Sequence, residues 1–191
     1  MTLTATPAPP AVPSTCACAE PLPAAVLADI AAGLAAAPPL WRSVVRHDPE
    51  GRRPVRLLAT DRYEVWVIGW TTGQHVRLHD HGASAGAVVV AEGELVEVVP
   101  RLGGPAAEHE LAGDGPRHLP VGTVHDVVNR AAAPATSIHV YSPPLTSMTF
   151  YDDDLTPVAT LPVAPERPVL APRAVARALH PAAARPGREA R

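Results

Sequence analysis

The sequence contains no lysine: all 16 of its basic residues are arginine, set against 19 acidic residues for a formal charge of −3. The two signs are interspersed, so no basic patch is available to meet phosphate, and nucleic acid is not an expected partner. No apolar run approaches the ~20 residues a membrane-spanning helix needs, so no membrane partner is expected either. Cysteine is equally scarce. Cys16 and Cys18 lie in the irregular stretch "PAVPSTCACAEP"; two thiols cannot build a disulfide framework, and such a segment is poorly suited to holding a ligand set. The first positive charge is Arg42, which leaves no charged n-region or Arg-rich transit pattern, and a cytoplasmic protein is expected.

What is present is a chain of 191 residues, enough for one domain with a real core. Residues 1–20 read as a flexible Pro/Ala-rich tail and 158–191 as a Pro/Ala/Arg-rich tail that wraps the domain or stays disordered. Between them, residues 21–157 form the expected domain. It opens with "PLPAAVLADIAAGLAAAPPLW", where Leu27, Ile30 and Leu34 recur at helical spacing and Pro38-Pro39 stops the run. From Val55 the pattern changes to short strands, "VRLLA", "YEVWVIGW", "AGAVVVA", "ELVEVV", "HDVVN", "TSIHVYS" and "SMTFYD", punctuated by Gly, Pro, Asp and Asn. The expected class is mainly β, a sandwich or barrel preceded by one short helical segment. Gly93 in "AEGELVEV" is expected to turn a hairpin.

Two histidines stand one residue apart in "GQHVRLHDHGASAG". On an extended segment His79 and His81 project to the same side, about 7 Å apart along the backbone, which suits two ligands of one metal. The spacing that joins Gly73, His79, His81, Gly86 and Gly93 resembles the first cupin motif, in which the position of Gly86 normally holds a Glu ligand. Downstream, "PVGTVHDVVN" matches the second cupin motif at Pro120, Gly122, His125 and Asn129, which makes His125 the third histidine. The resemblance implies a single, jelly-roll-like cupin barrel. Three neutral imidazoles without a carboxylate leave a divalent metal its full charge, so the site should favour an anionic, chelating ligand such as a thiolate with an amine. Glycine at position 86 is expected to leave room for it.

"WTTGQ", "HDHG", "EGEL" and "SIHVYSPP" narrow the match: over roughly residues 40–152 the chain resembles the cysteine dioxygenase family. That resemblance implies non-haem Fe(2+) on His79, His81 and His125, and addition of both atoms of O2 to the sulfur of L-cysteine to give cysteine sulfinate. In mammalian members a cysteine at the position of Gly86 is cross-linked to a tyrosine matching Tyr141; no such thioether can form here. In "SIHVYS", Ser137, His139 and Tyr141 alternate on one face, and a mutual hydrogen-bonded chain would satisfy them. The resemblance makes Tyr141 the donor near the metal, oriented by His139 and Ser137, and gives relatives with Ser-Pro-Pro a cis bond at the position of Ser142-Pro143.

An amino acid substrate needs a guanidinium for its carboxylate. Arg56 matches the family's carboxylate-binding arginine, with Arg53 and Arg77 as alternatives, while Arg52, Arg53 and Arg56 together also read as a solvated basic turn. A tyrosine that assists this arginine in mammalian members is replaced by Pro54. His47, His75, His109, His118 and His180 are read as surface residues, and Tyr63, Trp66 and Trp70 as core. The expected protein is a monomeric thiol dioxygenase. Its rivals are a dioxygenase of 3-mercaptopropionate or another thiol, and a non-catalytic zinc-binding cupin that senses a small molecule.

Overall fold

The computed structural model describes residues 20–172 except Asp114 and Pro165. Cys16, Cys18 and His180 lie outside the described residues. Among the described residues α1 (Ala24–Ala35) is followed by a 3-10 turn at Pro38–Leu40. Ten strands of the described residues come after it: β1 (Val55–Ala59), β2 (Glu64–Trp70), β3 (Ala85–Glu92), β4 (Val96–Val99), β5 (Ala107–Glu110), β6 (Arg117–Leu119), β7 (Asp126–Val128), β8 (Ala135–Ser142), β9 (Ser147–Tyr151) and β10 (Pro157–Pro162). No helix of the described residues is long and apolar enough to cross a membrane.

The strands assemble as β1-β2-β8-β3-β6 in one sheet, β5-β4-β7 in a second and β9-β10 in a third. Isolated bridges from His75 to Val128, and from His79 to both His125 and Phe150, lay the segment 75–79 between β7 and β9. The two smaller sheets thereby act as one layer against the five-stranded sheet. This is the cupin fold, although no strand pairing among the described residues closes the layers into a continuous barrel.

Alternation along β2 and β8 gives the large sheet two different buried faces. On the outer face Val65, Val67, Ile138 and Val140 pack with Leu27, Ala31 and Leu34 of α1. Each such fully buried aliphatic side chain contributes about 1.5–3 kcal/mol relative to exposure. Trp41 closes this core and donates its indole N–H to the Leu34 carbonyl at 2.9 Å. On the inner face Ile68, Trp70 and Val88 meet Leu95, Leu111 and Val127 from the opposite layer. These contacts fix the separation of the layers next to the site.

The expected turn at Gly93 forms, with φ +76°, but it is not a hairpin. β3 pairs with β6 and β8, whereas β4 pairs with β5 and β7. The chain therefore crosses from one layer to the other. A Cβ at Gly93 would lie 2.6 Å from the Pro134 carbonyl oxygen, so the crossover needs both the backbone angle and the absent side chain.

Past Tyr151 the chain continues as β10 against β9. It then returns along β1, where Val169 and Leu170 donate backbone N–H groups to Arg56 and Leu57 at 3.0 and 2.8 Å. This described part of the C-terminal stretch wraps the domain. The Ser142-Pro143 peptide bond is cis.

Candidate metal centre

His79, His81 and His125 are 3%, 3% and 1% exposed, and their candidate ligand nitrogens all lie within 4.8 Å of one another. The segment 75–81 is not the regular strand expected from the sequence, because Arg77 has φ +75°. Asp126 holds this bend: its Oδ1 accepts the N–H groups of Val76 and Arg77 at 3.0 and 3.1 Å, and its Oδ2 meets His75 Nδ1 at 3.0 Å. Asp80, between the two histidines, turns the other way. Its carboxylate accepts the Gly82 N–H at 2.9 Å and the Tyr151 hydroxyl at 2.6 Å. The histidine pair is thus braced from both sides.

Hydrogen bonds set the ring orientations. His79 Nδ1 is 2.8 Å from the Arg77 carbonyl oxygen, which can only accept, so Nδ1 carries the proton and Nε2 keeps a lone pair. His125 Nδ1 donates in the same way to Glu97 Oε1 at 2.9 Å. Burial alone would raise the Glu97 carboxyl, but the hydrogen bond from His125 and the charge of Arg117 hold it below the usual carboxylate range. Among the described residues His81 Nε2 is buried without a hydrogen-bond partner, a costly state for a polar atom unless a ligand occupies it. Burial, with His125 nearby, pushes His79 down to about 4, and burial holds His81 well below the ordinary histidine value. Buried imidazoles, two of them donating Nδ1–H to acceptors, are the donor set a transition metal takes. This three-histidine group can hold a metal ion.

Facing the cluster is a chain of polar groups on β2 and β8. Trp70 Nε1 donates to Ser137 Oγ at 2.8 Å, Ser137 Oγ lies 2.8 Å from His139 Nε2, and His139 Nδ1 lies 3.1 Å from the Tyr141 hydroxyl. The indole is a donor only, so Ser137 accepts from it. Ser137 is fully buried, and its own proton has no other acceptor among the described residues; using it places it on His139 Nε2. His139 then carries its proton on Nδ1 and donates to Tyr141, whose hydroxyl hydrogen is left for the cavity. Burial pushes His139 down to about 3 and raises Tyr141 well above the usual phenol value, so both stay neutral. The sequence pointed to Ser137, His139 and Tyr141, but Trp70 read as core alone.

Gly86 does not open space for a ligand. A Cβ there would approach the Tyr141 ring to 3.0 Å, so the volume that glycine releases is filled by the phenol, which lies against His81 with ring centroids 4.7 Å apart. The cavity beside the histidines has a volume of about 280 Å³ and is mainly apolar, bounded by Trp66, Ile68, Met148 and Phe150 among others.

The arginines fall into different places. Arg53 is bound to Asp48 at 2.9 Å on the exterior, and Arg77 serves through its backbone. Arg56 shares the inner face with Trp66, its partner across the β1-β2 ladder, but its guanidinium is paired with Glu64 at 2.5 Å and donates to the Glu166 carbonyl at 3.0 Å. Arg52, not singled out from the sequence, lines the cavity together with Pro54, His79, His125, His139 and Tyr141.

Residues 22–154 match the family described as cysteine dioxygenase type I. Among solved structures, a protein from Thermus thermophilus is 26% identical, with 54% of this chain and 93% of that chain covered at a TM-score of 0.48. An uncharacterized conserved protein with a double-stranded beta-helix domain from Klebsiella pneumoniae is 24% identical, covering 53% and 85% at a TM-score of 0.47. An RmlC-like cupin protein from Desulfovibrio desulfuricans is 22% identical, covering 53% and 92% at a TM-score of 0.45.

Proposed function

Because the chain belongs to the cysteine dioxygenase type I family, we propose that it is a thiol dioxygenase using Fe(2+), held by His79, His81 and His125, to convert L-cysteine to cysteine sulfinate. The observation that carries this reading is the buried three-imidazole cluster, with His81 Nε2 lacking a hydrogen-bond partner among the described residues. The overall change is balanced: one thiol and one O2 give one sulfinic acid, and no outside reductant is consumed. When bound, the ferrous ion supplies a site for the deprotonated sulfur and the one-electron chemistry that O2 requires.

The protein's own residues contribute orientation and a dry, shaped pocket. The Arg77 carbonyl and Glu97 hold the Nδ1 protons of His79 and His125, keeping each Nε2 aimed inward. Tyr141 presents a neutral hydroxyl as a hydrogen-bond donor where negative charge develops on oxygen or sulfur, and the chain behind it fixes that direction. Apolar walls from Ile68, Met148 and Phe150 limit water at the reacting centre.

The test is metal analysis of the purified protein, followed by oxygen uptake with iron-loaded protein offered L-cysteine, cysteamine and 3-mercaptopropionate in parallel, the product being identified by mass. Iron-dependent uptake with one sulfinate per O2 and preference for L-cysteine is expected. Faster turnover of 3-mercaptopropionate would replace the substrate and keep the reaction. Protein that binds zinc and is inert toward all three thiols would replace the reaction with small-molecule sensing.

A further inference from the structure

The three histidines are not backed alike. His79 gives its Nδ1 proton to a backbone carbonyl, that of Arg77, whereas among the described residues His125 alone of the three is backed by a carboxylate, with Nδ1 2.9 Å from Glu97 Oε1. Glu97 is 1% exposed, and its second oxygen meets Arg117 Nε at 2.8 Å. Arg117 keeps 43% of its side chain in solvent. Guanidinium, carboxylate and imidazole therefore form a line from the surface to the metal-binding group.

The setting of this line gives it leverage. Arg42–Glu92, Arg53–Asp48 and Arg130–Glu108 are exterior pairs whose carboxylates reach solvent, where an ion pair has little effect. Arg117 instead stands on β6, at the edge of the five-stranded sheet, and Glu97 on β4 in the opposite layer. The pair joins the two layers at a place where no backbone ladder does. Around the buried carboxylate solvent screens charge weakly, so what Arg117 does to Glu97 is felt at His125. A carboxylate on Nδ1–H draws that proton outward and makes Nε2 a stronger donor. A guanidinium on the other carboxylate oxygen offsets part of that negative charge. Stronger donation favours the higher charge state of a bound metal and weaker donation the lower.

We propose that Arg117 is a positioning residue for the metal centre: through Glu97 it moderates the donor strength of His125 and so favours the ferrous over the ferric ion. This rests on the reading of the three histidines as an iron site. It goes beyond that reading by naming what sets the oxidation state of the ion from outside the cavity.

The deciding measurement is a redox titration of iron-loaded protein for wild type, Arg117→Gln, Arg117→Lys, Glu97→Gln and the double variant Arg117→Gln/Glu97→Gln. Because Arg117 is half in solvent, water replaces the lost donor and the variants should keep the circular dichroism of the folded protein. Arg117→Gln should move the Fe(III)/Fe(II) equilibrium at least about threefold toward Fe(III), a potential lower by about 28 mV at 59 mV per decade for one electron. Arg117→Lys keeps the charge and should stay within about 1.5-fold of wild type. Glu97→Gln should move the equilibrium the other way, and the double variant should match Glu97→Gln, since the arginine acts only through the carboxylate. Zinc affinity, measured by chelator competition on the same proteins, reads ligand strength without redox chemistry: Arg117→Gln should bind zinc about threefold more tightly and Glu97→Gln more weakly. The proposal is overturned if Arg117→Gln shifts neither quantity, or if it weakens metal binding as Glu97→Gln does, which would make the arginine a structural prop. It is also overturned if the shift persists in the Glu97→Gln background, the mark of a distant surface charge, or if Arg117→Lys fails to restore wild-type behaviour. Protein that takes up zinc and refuses iron defeats the dioxygenase reading, and the zinc series then decides the assignment of Arg117 by itself.

Discussion

The two faces of the five-stranded sheet are buried to a similar depth and built on opposite principles. Toward α1, Val65, Val67, Ile138 and Val140 are packed with other apolar groups, so their contribution is volume and surface removed from water. Toward the opposite layer, the alternate residues Glu64, Trp66, Ser137, His139 and Tyr141 are buried with almost every polar atom paired. The atoms left over, Arg56 Nε and His81 Nε2, are informative because burial makes an unpaired polar atom expensive. A one-residue slip of either strand would exchange the faces, so the outer packing also holds the inner chemistry in register.

The comparison is broken most severely by His125→Ala. Removing one of three ligands should abolish stoichiometric metal binding and turnover together, read by metal analysis and oxygen uptake, while circular dichroism remains that of a folded β protein. On the outer face, Ile138→Ala should do the reverse. Ile138 is fully buried, and truncation should cost about 2–5 kcal/mol of stability in denaturant unfolding, with metal stoichiometry unchanged where the protein is folded. Loss of metal in the folded Ile138→Ala protein would show that the faces are not independent.

Tyr141→Phe sharpens the contrast within the inner face. Its hydroxyl should be needed for rate and not for metal, so metal content should be retained and kcat should fall about a hundredfold, the order expected for losing one donor at a developing negative charge. Glu97→Gln should act one step further back. The amide oxygen can still accept from His125 Nδ1, but the negative charge that strengthens the imidazole as a ligand is gone, and metal affinity should fall about 10–100-fold in a chelator competition.

How much of this was legible in the sequence follows the range of the signals. His79, His81 and His125 stand at motif spacing, and the alternation of Ser137, His139 and Tyr141 is a local period of two that any strand imposes. The longer strands are legible for the same reason. β5 ("AEHE") and β6 ("RHL") are short and polar, and β10 is exposed along its whole length, so none carries an apolar pattern. The turn at Gly93 was visible as a turn, but whether the chain doubles back or crosses to the other layer depends on partners far away in sequence. Glu97 left a faint trace: it shares parity with buried Leu95 in a Val-rich strand, and an inward acid must have a partner. Its partner, His125, is 28 residues distant. The pairing of Glu64 with Arg56 is a choice among neighbours that only the packing of β1 on β2 decides.

The smallest expected effect concerns Trp70, where the two principles meet in one side chain: its ring is fully buried in the inner core while its N–H starts the chain that ends at Tyr141. Trp70→Phe keeps most of the apolar bulk and removes the donor. Ser137 can then rotate its proton away from His139, so the imidazole can adopt the other tautomer and accept from Tyr141, turning the phenol proton back into the protein. The barrier to reaction should rise only by the cost of restoring the productive arrangement, a loss of about 3–10-fold in kcat, in line with about 1 kcal/mol for one neutral hydrogen bond. Metal content and KM should be unchanged. The discriminating measurement is the double variant with Tyr141→Phe. If Trp70 acts through the phenol, adding Trp70→Phe to Tyr141→Phe should slow the enzyme no further, whereas an equal additional loss would mean that the indole contributes packing alone.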